Sequence, residues 1–112
     1  RNCYYGASSA SPVELRDREV IGSQRVLWGS DYPHYEGTYP HTRLALRHTF
    51  NAVPGSEVRA MLGENAAKLY GFDLEKLAPL VDRIGIRPDE ILGKPLAEEE
   101  FLEGAHTNAF RR

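Results

Sequence analysis

Cysteine is almost missing from this sequence. Cys3 is the single one, so neither a disulfide nor a thiolate cage for zinc can form within the chain, and a reducing, cytoplasmic setting is expected. A surplus of charge is missing as well: 14 Lys and Arg stand against 16 Asp and Glu, a formal net charge of -2. With its basic residues scattered rather than striped, the chain has no field to draw in a phosphate backbone, and nucleic acid is excluded as a partner. No apolar run approaches the roughly 20 residues of a membrane span. The opening RNCYYGASSA lacks the charged-then-apolar order of a signal peptide, so no membrane partner is expected. The chain starts on Arg1 rather than methionine, in what reads as mid-strand, which suggests a fragment, a processed product or an excised piece.

What is present suits one small domain. The 112 residues are 41% hydrophobic, and a chain of this length buries roughly two thirds of its unfolded surface if its elements can cover one another. Residues 2–5, NCYY, read as a short strand leaving into a loop at Gly6. Ser11, Pro12 and Glu14 form a capping box that opens a helix to about Ile21, stopped by Gly22. Val26, Leu27 and Trp28 are continuously apolar, the pattern of a strand covered on both faces. Strand, helix, strand with so long a connection predicts parallel neighbours. A helix follows over Thr42 to Ala52, stopped by Pro54 and Gly55. Ser56 should cap another turn or two, and Asn65 should cap AAKLY, closed by Gly71 in the left-handed conformation. DLEKLAPLVDRIG carries leucines at 74, 77 and 80, with Pro79 expected to shorten or kink it. Beyond Ile86 the pattern weakens: RPDEILG suits one helical turn, AEEEFLEG an acidic amphipathic stretch, and HTNAFRR a mobile tail. Residues 1–85 therefore read as one structural unit and 86–112 as an extension, partly helical or mobile.

The chemistry concentrates in RVLWGSDYPHYEG, residues 25–37, where the apolar strand gives way to Asp31 and His34. Asp31 should emerge at the carboxyl edge of a parallel sheet, the edge at which ligands bind in open α/β sheets and active sites gather in barrels. A carboxylate there can coordinate a divalent metal, accept a proton from the metal's water, or do both in turn. It can equally cap its own loop as an Asx-turn. His34, three residues on, is placed either to contact a ligand or to pack its loop. His41 and His48 continue a seven-residue spacing, but seven helical residues advance about 10 Å, too far for two imidazoles to share one ion. They are expected at a helix start and on a partly packed surface. Tyr32, Tyr35 and Tyr39 are expected to bury the loop against its neighbours rather than to wall a pocket, Trp28 to lie in the core, Cys3 to be a packed thiol, and Glu98 to Glu100 to form a solvated face.

VLWGSDYPHYEGTYPHT followed by GENAAKLYGFD resembles the closing portion of the amidohydrolase 2 family, the metal-dependent barrel enzymes that include aminocarboxymuconate-semialdehyde decarboxylase. The resemblance covers about residues 1–85. It implies an α/β fold, the C-terminal fragment of a (β/α)8 TIM-like barrel with two parallel strands followed by several helices. It also implies a metal-dependent hydrolase or decarboxylase, a carbon-carbon lyase, acting on a small-molecule substrate. Asp31 would be the last-strand aspartate that binds the metal or its activated water, and His34 would lie on the substrate side. The metal, zinc by expectation, would take most of its ligands from outside this chain, because the family's His-x-His pair and middle-strand histidines have no counterpart here. A full barrel has eight strands in about 250 residues. The expectation is therefore of a chain inactive alone, partnered by the remainder of the barrel or another protein chain. The competing expectations are a noncatalytic α/β interaction module and a degenerate remnant that folds by self-association.

Overall fold

The computed structural model describes residues 2–8 and 10–104. Its order is β1 (Tyr5–Ser8), a 3-10 turn (Glu14–Asp17) running into α1 (Arg18–Ile21), β2 (Val26–Gly29), α2 (Thr42–Phe50), α3 (Gly55–Arg59), a π turn (Ala60–Glu64), α4 (Asn65–Tyr70), α5 (Leu74–Ile84) and α6 (Glu98–Gly104). The tail beyond Gly104 lies outside the described residues. β1 and β2 are parallel neighbours, with Tyr5 opposite Val26 and Ser8 opposite Gly29. Among the described residues no helix is long and apolar enough to cross a membrane.

The capping box forms as expected: Ser11 N–H donates to Glu14 Oε2 at 2.9 Å and Glu14 N–H to Ser11 Oγ at 3.3 Å. The helix behind it is broken, a 3-10 turn passing into one α turn before Gly22 at φ 90°. The first strand sits at Tyr5–Ser8 instead of residues 2–5. Local aromatic propensity favoured NCYY, but a strand is fixed by its ladder, and β2 offers partners only to Tyr5 through Ser8.

Larger differences concern Asn65 and the covering of the sheet. Residues 55–70 form one helical run through the π turn, so neither Ser56 nor Asn65 is a cap. Asn65 is instead buried, its Nδ2 donating at 2.8 Å to both the Ser23 and Val26 carbonyls, which ties the run to the start of β2. Gly71 closes the run at φ 74°, ψ 32°, and Phe72 N–H reaches back to the Ala67 carbonyl at 2.9 Å. Of the strand residues only Val26 is fully buried, so β2 is not covered on both faces, and Trp28 lies at the margin of the core rather than inside it.

The core is built by Leu15, Val26, Leu46, Phe50, Val53, Val58, Met61 and Ile91. Residues beyond 85 contribute to it, Ile91 fully and Ile86 and Leu92 in part. α1 is held to α3 by Arg18 Nε on Glu57 Oε2 at 2.9 Å, and α2 to the loop after β1 by Thr49 Oγ1 on the Ala10 carbonyl at 2.7 Å. Glu100 is not simply solvated. Arg47 on α2 grips both its carboxylate oxygens and also donates to the Lys94 and Pro95 carbonyls. Cys3 is exposed, not packed.

Candidate functional site at the end of β2

β2 ends at Gly29, and the chain then makes a tight excursion before entering α2 at Thr42. Thr38 closes that excursion. It is completely buried, its N–H donates to the Ser30 carbonyl at 2.9 Å, and its hydroxyl lies 3.4 Å from the same carbonyl and 3.0 Å from Thr42 Oγ1. Gly37 lets the closure happen: a β-carbon there would stand 2.8 Å from both the Ser30 and Asp31 carbonyl oxygens and 3.0 Å from that of His34. These are rigid backbone atoms, so only glycine fits. Within the loop, His34 N–H bonds the Asp31 carbonyl at 2.8 Å and Gly37 N–H the His34 carbonyl at 3.0 Å.

Asp31 stands at φ 57°, in the left-handed region, which aspartate tolerates better than most residues but which still costs conformational energy. Its carboxylate does not cap an Asx-turn among the described residues. Asp31 Oδ2 faces His34 Nδ1 at 3.4 Å, with the two side chains 45% and 54% exposed. The structure thus brings the two sequence-predicted site residues together at the carboxyl end of a parallel strand. It leaves His41 at the start of α2 and His48 against the Phe101 ring, at 5.4 Å, as spacing predicted.

The tyrosines differ from expectation. Tyr32, Tyr35 and Tyr39 are each about two thirds exposed or more, so they do not bury the loop. Tyr32 and Tyr39 meet edge to face at 5.3 Å, His34 and Tyr35 rings lie 5.1 Å apart, and the Tyr35 hydroxyl donates to Glu36 Oε1 at 3.0 Å. That hydrogen bond, reinforced by the Glu36 charge, raises the Tyr35 phenol above its ordinary 10.0. Thr38 was not singled out in the sequence. The signal was faint: a threonine after Glu36-Gly37, with a second threonine four residues on.

Among the described residues no group of three or more His, Cys, Asp or Glu side chains converges on one point. Two donors fall short of the usual three or four, so the described residues do not by themselves fit a divalent metal. A separate cleft of about 290 Å³ opens between β1 and α1, lined by Tyr5, Ala7, Leu15, Arg18 and Ile21, away from Asp31.

A parallel strand pair joined through a helix, with an acid and an imidazole in the loop at its carboxyl edge, defines an α/β framework of the kind that carries active sites at strand ends. A family model described as Amidohydrolase matches residues 4–72, which include both strands, the Asp31–His34 loop and the helical run ending at Gly71. The match takes in 69 of 112 residues, and the chain belongs to the amidohydrolase family. No curated protein and no solved structure gave a match. Amidohydrolases generally bind divalent metals, which sharpens the shortage of donors found here.

Proposed function

We propose that the chain is the C-terminal portion of a metal-dependent, aminocarboxymuconate-semialdehyde decarboxylase-like amidohydrolase of the cytoplasm, a hydrolase or decarboxylase, and that Asp31 is the last-strand aspartate of its site. Asp31 is then one ligand for a divalent metal, zinc by expectation, in a set completed by the remainder of the barrel or another chain. His34 faces a small-molecule substrate from the same loop. The chain alone is inactive.

The observation that carries this reading is the placement of Asp31: it follows a parallel strand, in a left-handed conformation, with its carboxylate directed at His34 instead of at its own backbone. The outer edges of β1 and β2 are unpaired among the described residues, an arrangement parallel strands adopt when neighbours are still to be added.

Calorimetric titration with zinc is the first test. The 112-residue chain is expected to show no stoichiometric submicromolar site, and finding one overturns the reading. The second is complementation with the missing strands of an amidohydrolase barrel, where metal-dependent activity should appear. Asp31→Asn should then raise the barrier by several kcal/mol, on the order of a thousandfold in rate. The exposed Tyr32, Tyr35 and Tyr39 favour a second reading, a noncatalytic interaction module. In that case Asp31→Asn leaves partner binding unchanged and no activity is recovered by complementation.

A further inference from the structure

We propose that Thr38 is the positioning residue of the Asp31 site: by holding the Ser30 carbonyl it fixes the left-handed backbone of Asp31, and with it the direction of the carboxylate. Asp31, at φ 57°, is the one non-glycine residue with a positive φ among the described residues. That conformation costs energy, which something nearby must offset. Its own side chain does not. An aspartate in a turn is commonly held by its carboxylate accepting a neighbouring backbone N–H, and among the described residues this carboxylate accepts none. It faces His34 Nδ1 at 3.4 Å, with both groups about half exposed, where a charge pair contributes little.

The offset comes from the two peptide planes that flank Asp31. Its φ sets how the Ser30–Asp31 plane lies and its ψ how the Asp31–Tyr32 plane lies, so hydrogen bonds to those planes define the residue between them. The later plane is held locally, the Asp31 carbonyl by His34 N–H at 2.8 Å and the Tyr32 N–H by Ser30 Oγ at 3.4 Å. The earlier plane is held from further along the chain: the Ser30 carbonyl accepts from Thr38 N–H at 2.9 Å and from the Thr38 hydroxyl at 3.4 Å. Thr38 is a firm anchor because it is completely buried and tied to a helix, Thr42 Oγ1 at the first residue of α2 standing 3.0 Å from its hydroxyl. When the Thr42 hydroxyl donates to Thr38 Oγ1, the Thr38 proton is free to serve the Ser30 carbonyl. A valine at 38 would keep the N–H and the shape. It would leave the Ser30 carbonyl on one bond and take away the partner of the Thr42 hydroxyl. The effect on rate rests on the reading of Asp31 as a site residue, whereas the hold on its backbone can be measured on the chain alone.

NMR of the full chain tests that hold. A positive φ brings the amide and α protons of one residue close together, so Asp31 should give a strong intraresidue NOE, together with a contact between its β protons and the His34 ring. Thr38→Val should reduce that NOE to the strength of its neighbours' and abolish the ring contact. Thr38→Ser, which keeps the hydroxyl, should retain both. Thr42→Val removes only the supporting hydroxyl, from a half-buried position, and should weaken the same signals in part even if Thr38→Val folds poorly. An Asp31 signature that survives both valine substitutions overturns the proposal, as does its loss in Thr38→Ser. In the complemented barrel, Thr38→Val should lower kcat about tenfold with KM little changed, and Thr38→Ser should recover it. An unchanged kcat overturns the positioning role. A complemented wild type without activity overturns the enzymatic reading instead, and the NMR result still decides whether Thr38 holds Asp31.

Discussion

At the scale of single residues, two side chains set the geometry around β2. Asn65 satisfies the Ser23 and Val26 carbonyls at once, and its bond to the Val26 carbonyl is buried. Asn65→Ala should therefore destabilise the fold by about 2–3 kcal/mol, read from urea unfolding. Asn65→Asp, which keeps the shape but turns an oxygen toward two carbonyls, should cost at least as much at neutral pH. Gly37 has a narrower role. Gly37→Ala must push three carbonyls apart, at about 1–3 kcal/mol, and the opened loop should show as faster amide exchange at Gly37 and Thr38. The position of Asp31 just past the end of β2 was legible in the sequence because a strand end followed by a carboxylate is a local pattern. Asn65 was not: its position after Gly63-Glu64 looks like a helix cap, and only the approach of β2 gives its amide two better partners.

At the scale of elements, the segment from Arg87 to Glu100 is fastened to α2 by carboxylates. The Arg47 guanidinium, then the Ala97 N–H, hold the Glu100 carboxyl below the ordinary 4.5; the Arg87 N–H and then Arg43 do the same for Glu90, and Arg87 holds Asp89 below 3.8. Each group binds its proton more weakly folded than unfolded. Its stabilising contribution is present above the unfolded value and is lost as pH falls through the lower folded one. Docking of α6 should thus hold at pH 6 and loosen progressively below about 4.5, followed by the loss of the His48–Phe101 ring contact in NMR spectra. Arg47→Ala should release α6 already at neutral pH and flatten that dependence. The acidic run Glu98 to Glu100 announced a solvated face, and Glu98 and Glu99 are exposed. Glu100 departs because α2 presents an arginine to it.

For the molecule as a whole, two apolar clusters form among the described residues: the smaller gathers Leu44, Leu96 and Phe101 around Ala45, and the larger carries most of the stability. Phe50 is fully buried at its centre, and Phe50→Ala should cost about 3–5 kcal/mol. Small domains have margins of that size, so the variant should be largely unfolded at 37 °C by circular dichroism. The cluster covers only part of the apolar surface: Tyr4, Tyr5, Val20 and the face of α5 remain in water.

The sequence by itself determined the strand–helix–strand order, the capping box at Ser11 and the Gly71 closure, because each depends on residues a few positions apart. Tertiary structure alone decided where β1 pairs, that residues 55–70 run on through a π turn, that Asn65 serves β2, and which leucines stay exposed. Those outcomes depend on competition among distant groups for burial and hydrogen bonds, and a local pattern holds no record of which competitor is near.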